Sequence, residues 1–205
     1  MPIIAGDQRH VSAAARLLER SFPPELRAPE PQLRARLESG VARLRVAVEG
    51  EQVVGCAVLR ALPLAATCLD YLAVDPDVRS GGVGRALLDD AVAVAGERGD
   101  DWLVLEVEPE ESPAADPAYG DPARRMRFYR RAGAFAACTG YAAPDLAAGS
   151  GLVDLELMVI AARPGASGPT MSQVVDWTRA LWGPEGYGRP ADDPDLRTVL
   201  DRLGY

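Results

Sequence analysis

The sequence predicts an α+β, or mixed α/β, fold. Three observations carry that reading. The elements up to residue 107 run β, α, α, β, β, β, α, β, which is neither an all-helical nor a strictly alternating order. Three successive strand patterns between residues 41 and 74 are joined by short turns, as antiparallel hairpin strands are. A helical pattern then leads to WLVLEV at residues 102–107, a near-continuous apolar run of the kind buried on both faces of a sheet.

Each element has a local cause. Ile3, Ile4 and Ala5 form a short first strand. Asp7 is placed to cap a helix carrying Val11, Ala14, Leu17 and Leu18 on one face, and Pro23 and Pro24 stop it. A shorter helix over residues 31–39 turns Leu33 and Leu37 inward and is closed by Gly40. Residues 41–48 alternate loosely, residues 49–52 turn, and residues 53–62 return as the hairpin partner, ended by Pro63. Residues 66–74 form a third antiparallel strand that feeds a Gly-rich turn. The helix after it buries Leu87, Leu88, Ala91, Val92 and Ala95 and ends near residues 96–99. Residues 108–121 hold three prolines and five acids and are a loop. Asp121 then caps a helix with Pro122 at its first position, running through Met126, Phe128 and Tyr129 to Gly133. Residues 134–139 are a short strand and residues 151–161 one last long strand. The core domain thus spans residues 1–161. Residues 162–205 are a linker (RPGASGP) and a two-helix C-terminal extension, its first helix opened by the Thr170/Gln173 capping box and its second capped by Asp193. That tail suits a lid, a homodimer arm or packing over the core, and an amphipathic stripe favours packing.

Composition limits the function. The chain is 48% hydrophobic and 25% charged over 205 residues, enough for a sizeable core. It carries no apolar run of membrane-spanning length and no charged-then-apolar leader. Its formal charge of −8 argues against non-specific nucleic-acid binding and favours cationic partners. Cys56, Cys68 and Cys138 are odd in number and widely spaced, so they read as thiols in a reducing, cytoplasmic compartment with no metal spacing. All 22 basic residues are arginine and asparagine is absent, a bias expected of a GC-rich, bacterial genome.

The informative stretch is YLAVDPDVRSGGVGRALL at residues 71–88. A strand, a glycine-rich turn and a helix N-terminus make an anion site, because glycine lets the backbone approach a ligand and the first helical N–H groups point at it. A nucleotide P-loop is excluded, since it needs a lysine and the chain has none. A dinucleotide fingerprint is excluded too, because only Gly82-x-Gly84 is present and it follows several strands. What remains, Arg79-x-x-Gly82-x-Gly84 after an apolar strand, resembles the pyrophosphate signature of the GCN5-related N-acetyltransferases, the GNAT superfamily. The run from Arg127 through Phe128, Tyr129 and Gly133 to Ala134 is similar to that family's F-Y-x-x-x-G-F, with Ala134 replacing the aromatic. Leu105-Glu106-Val107 resembles the Leu-Glu-Val strand of the ribosomal-protein N-terminal acetyltransferase branch. The subfamily stays unassigned.

The resemblance implies a central mixed, mostly antiparallel twisted sheet of about seven strands flanked by helices. It implies acetyl-CoA as co-substrate, no metal, and direct acetyl transfer to a primary amine in a ternary complex. The pantetheine arm would bind the backbone of Leu72, Ala73 and Val74. Its pyrophosphate would bind Arg79, Ser80, Gly81, Gly82, Val83, Gly84 and Arg85. Tyr129 matches the general acid and Glu106 the candidate base, with Asp70 in reserve. Asp70 and Glu108 are the substrate-side candidates, and the acidic loop suits a small-molecule or peptide amine that is cationic. Cys68 falls where other members carry a base glutamate, so that role is vacant here. His10 reads as a surface residue. The same residues also fit a non-catalytic acyl-CoA-binding sensor or interaction module.

Overall fold

A computed structural model of the chain describes residues 1–78, 81–112 and 116–205. Among these residues nine strands and six α-helices follow in the order β1 (Ile3–Ala5), α1 (Gln8–Ser21), α2 (Glu30–Glu38), β2 (Ala42–Glu49), β3 (Gln52–Leu62), β4 (Ala66–Val74), α3 (Val83–Glu97), β5 (Trp102–Val107), α4 (Pro122–Arg131), β6 (Phe135–Ala136), β7 (Ala142–Pro144), β8 (Leu152–Asp154), β9 (Glu156–Ala161), α5 (Met171–Trp182) and α6 (Pro194–Arg202). The main sheet has seven strands in the order β1-β2-β3-β4-β5-β9-β6. Only β4 and β5 run parallel, joined by the α3 crossover; the other neighbours are antiparallel.

Helices cover both faces. On one, Leu87, Leu88, Ala91 and Ala95 of α3 and Met126 of α4 pack on Ala57, Leu69, Leu103, Leu105 and Met158. On the other, α1 and α2 bury Ala14, Leu17, Leu18 and Leu33 against Val46, Cys56, Val58 and Tyr71. Beside them α5 and α6 set Val174, Trp177, Trp182, Leu196 and Val199 against Cys68, Trp102, Val104 and Leu157. The extension is therefore bonded into the core: the Trp177 indole N–H donates to the Pro63 carbonyl at 2.9 Å and that of Trp182 to the Ala142 carbonyl at 3.3 Å. No helix among the described residues is long and apolar enough to cross a membrane.

One local expectation changes. The apolar stretch at residues 151–161 is two strands in two sheets. β9 takes its wholly apolar half into the main sheet, while β8 pairs with β7 in a separate two-stranded sheet. β7 is too short and too rich in alanine to show as a strand pattern in sequence. His10, expected as a surface residue, is partly exposed, and its Nδ1 accepts the Asp7 backbone N–H at 3.1 Å, completing a capping box on α1.

If α5 is integral to this core, Trp177→Ala costs about 3–5 kcal/mol. Urea unfolding followed by far-UV circular dichroism and by fluorescence then gives coincident transitions in both proteins. A tail melting separately in the wild type contradicts this.

Candidate active site

The site begins where the parallel ladder stops. β4 and β5 pair from Ala66–Trp102 to Leu69–Leu105 and no further. At that point β4 carries one extra residue relative to β3: Val58 faces Tyr71, Leu59 faces Leu69, and Asp70 stands between. Such a bulge bends the strand. Past it, β4 stays with β3 out to Val74 and β5 stays with β9 out to Val107, so the two inner strands part.

A groove of about 460 Å³ runs along the parted edge. Leu72, Ala73 and Val74 floor it, Ser21 and Phe22 at the end of α1 border it, and Phe128 and Tyr129 of α4 face them. Its outer end holds Gly82, Val83, Gly84 and Arg85 with Arg124, Arg125 and Arg131. Gly82 sits at φ +80 as the N-cap of α3, a helix with no side-chain cap and no acid in its first turn. Among the described residues no side chain takes its leading N–H groups, and such a helix start suits an anion. The groove joins an apolar floor to a cationic mouth, and so fits a slender ligand with a phosphorylated end. The Arg85 guanidinium is held by Asp89 at 2.8 Å. Arg79 and Ser80 lie outside the described residues.

Tyr129 is buried, its ring edge-on to Phe128 with centroids 5.1 Å apart. Burial pushes its phenol up to about 12, with Arg125 pulling the other way. At neutral pH it is a proton donor.

Strand alternation sends Glu106 to the opposite face from Tyr129, beside Val104 and Cys68. Glu106 is the first β5 residue past the last rung of the ladder. Its Oε2 accepts the Tyr187 hydroxyl at 2.8 Å and its Oε1 that of Tyr141. Burial raises the carboxyl above its ordinary value, Asp70 adds to the rise, and the two phenols and Arg60 oppose it. Among the described residues no basic side chain forms an ion pair with it. Asp70 instead takes both arms of Arg60, at 2.9 and 3.1 Å, and both side chains are almost wholly buried. A small cavity of about 30 Å³ is lined by Glu106, Asp70 and Arg60 together with Arg36, Leu146, Gly186 and Tyr187. Cys68 is fully buried and its thiol lies well above the usual range, first through burial and then through Asp70, which disarms it as a nucleophile.

The structure thus brings Leu72, Ala73, Val74, Gly82, Val83, Gly84, Arg85 and Tyr129 to one groove, with Gly81 in the turn leading into it, and puts Glu106 and Asp70 in a neighbouring cavity. Glu108 pairs with Arg125, Glu110 meets Arg130 at 2.6 Å, and Asp121 caps α4, so much of the loop's acidity is taken up locally. Sequence reasoning missed Arg124, Arg125 and Arg131, although five arginines within α4 are a visible signal. It also missed Tyr141 and Tyr187, for which only the Gly186-Tyr187-Gly188 triplet could have served as a flag.

Residues 11–134 match the family model described as the acetyltransferase (GNAT) family. Among proteins of curated function none matches the sequence significantly. Solved structures share the fold. The ribosomal-protein-S18-alanine N-acetyltransferase from Escherichia coli aligns with a TM-score of 0.60 at 21% identity, over 82% of this chain and 98% of its own. An aminoglycoside 6'-N-acetyltransferase complexed with coenzyme A aligns at 0.62 and 16%, over 82% of this chain and 100% of its own. The GphF GNAT-like decarboxylase in complex with isobutyryl-CoA aligns at 0.62 and 20%, over 80% and 100%. These likenesses are of fold, and one fold holds different chemistries, so activity has to be argued from the residues.

The Arg60–Asp70 pair gives a direct test of the cavity floor. Asp70→Asn leaves the guanidinium uncompensated and costs about 3–5 kcal/mol in urea unfolding. A loss below about 1 kcal/mol, as surface pairs give, contradicts this burial.

Proposed function

Since the chain belongs to the acetyltransferase (GNAT) family, and is by that membership an acyltransferase, we propose that it moves an acetyl group from acetyl-CoA to a primary amine by direct attack in a ternary complex. The observation that carries this reading is the gap where β4 and β5 stop pairing, with a groove along one side and Glu106 at its vertex. The backbone of Leu72 and Ala73 offers the pantetheine arm the edge of an unfinished sheet. The amides of Gly82 to Arg85, Arg124 and Arg131 answer the pyrophosphate, and Arg79 and Ser80 belong to the same proposed site. An N–H on the β4 edge, fixed before reaction, stabilises the charge that develops on the thioester oxygen.

Glu106 suits the base. An ammonium must lose a proton before it attacks, and a carboxylate raised by burial is a stronger acceptor than one in water. With phenol donors and, among the described residues, no ion-paired base, that carboxylate also favours a cation beside it, which supports a cationic amine. Tyr129 supplies the other end of the transfer. A phenol at about 12 is a weak acid beside a CoA thiol of pKa about 8.5, so complete transfer is uphill. Its contribution is a hydrogen bond to the departing sulfur, made inside the groove.

The experiment is thiol release from acetyl-CoA over a panel of polyamines, aminoglycosides, amino acids and short peptides. Tyr129→Phe lowers kcat about 10²-fold or more, with acetyl-CoA affinity little changed. Silence from the wild type across the panel, with acetyl-CoA still bound, contradicts the enzymatic reading and favours a binding module.

Two further outcomes follow from the geometry. Gly82→Val cannot hold φ +80 without strain and weakens CoA binding at least about tenfold in calorimetry. The kcat/KM profile rises with pH through a limb above the ordinary carboxylate range, because the base works only when ionised and Glu106 ionises late. Glu106→Gln removes that limb; a limb unchanged in the variant assigns the base elsewhere.

A further inference from the structure

The α5–α6 loop reaches into the cavity beside Glu106. Gly186 and Tyr187 form one wall, facing Arg60, Asp70 and Glu106 on the sheet and Arg36 on α2. Tyr187 donates its hydroxyl to Glu106 Oε2 at 2.8 Å, and Arg36 donates to the Gly186 carbonyl. We propose that Tyr187 is a positioning and specificity-determining residue of the acceptor pocket, orienting the Glu106 carboxylate and restricting the acceptor to a slender, unbranched primary amine. This rests on the reading of Glu106 as the base.

The wall is built rather than hinged. The loop folds back on the end of α5 through backbone bonds from Tyr187 to the Leu181 carbonyl (2.8 Å), Gly188 to that of Gly183 (2.9 Å) and Arg189 to that of Trp182 (2.8 Å). Gly186 approaches α5 so closely that a Cβ there would clash with the Leu181 carbonyl oxygen. α5 itself is anchored by Trp177 and Trp182, both fully buried. Tyr187 is thus presented by a rigid support, and the space left beside Glu106 is about 30 Å³. Space of this kind holds one water per about 10–15 Å³, so the cavity takes about two water-sized groups, enough for an ammonium and its first methylene and too little for a six-membered ring.

A carboxylate offers about four lone-pair sites, so two phenol bonds fix its plane and leave room for a further donor. The groups that set its protonation are Tyr141, Tyr187, Asp70 on β4 and Arg60 on β3, with Cys68 and Tyr71 of β4 and Arg36 of α2 facing the same region. The Tyr187 bond favours the ionised form, so losing it raises the carboxyl further.

Two measurements on the full chain loaded with CoA test the proposal, and neither needs turnover. The first is a ¹³C NMR titration of glutamate carboxyls, with Glu106 assigned by the Glu106→Gln spectrum. Tyr187→Phe, which keeps the ring, is expected to raise the Glu106 midpoint by about half a pH unit or more. An unmoved midpoint overturns the positioning role. The second is the ratio of dissociation constants for butylamine and cyclohexylamine. Tyr187→Ala is expected to shift that ratio about tenfold toward the ring amine, while Tyr187→Phe leaves it as in the wild type. Tyr187→Leu, which also shortens the side chain, replaces Tyr187→Ala if thermal unfolding shows that variant to be unfolded. An unchanged ratio, or no binding of either amine, overturns the specificity role. Failure of the N-acetyltransferase reading shows separately, as an absence of thiol release in the wild type.

Discussion

The β4–β5 ladder is clamped at one end and released at the other. At its start, the backbone N–H of Asp101 reaches the Ala65 carbonyl at 2.8 Å, and Thr67 donates to the buried Asp100 carboxylate at 2.6 Å. Four rungs later the Asp70 bulge bends β4 away while β3 and β9 hold the outer edges. A sheet interior rarely leaves backbone polar groups without ladder partners, because burying them unpaired is costly. Here the break is supported by pairing on both sides, and the groove lies along it.

The bulge also sorts the chemistry by face. Strand alternation directs Leu69, Leu72, Leu103 and Leu105 toward α3 and α4, where Tyr129 waits at the groove. It directs Cys68, Val104 and Glu106 toward the other face. Glu106 and Tyr129 are thereby kept on opposite sides of the gap. Asp70 and Glu106, two carboxylates on neighbouring strands, are separated in role by their partners. Arg60 neutralises Asp70 through a paired fork, whereas Glu106 has phenols, which hold the carboxylate without cancelling its charge.

How far this was legible depended on range. The Asp7 cap, the Thr170 capping box, the proline-started α4 and the glycine-rich opening of α3 are set by neighbours within four residues, and the sequence shows them directly. The α+β plan and the groove residues followed. The division of residues 151–161 between two sheets was not legible, because its cause is β7, a three-residue partner without strand character of its own. The partners of Glu106 were hidden for the same reason: Tyr141 lies 35 residues away and Tyr187 lies 81. The acids of the 108–121 loop look like a free negative surface in sequence, yet Arg125 and Arg130 are brought against Glu108 and Glu110 only by folding.

The most direct test of the central claim is backbone amide mapping by ¹H–¹⁵N NMR during an acetyl-CoA titration. If the parted strands are the acyl-donor site, the largest shifts fall on Leu72, Ala73 and the amides of Gly82 to Arg85, with smaller ones at Phe128 and Tyr129. Saturable binding that leaves those amides unmoved and perturbs another surface would contradict it.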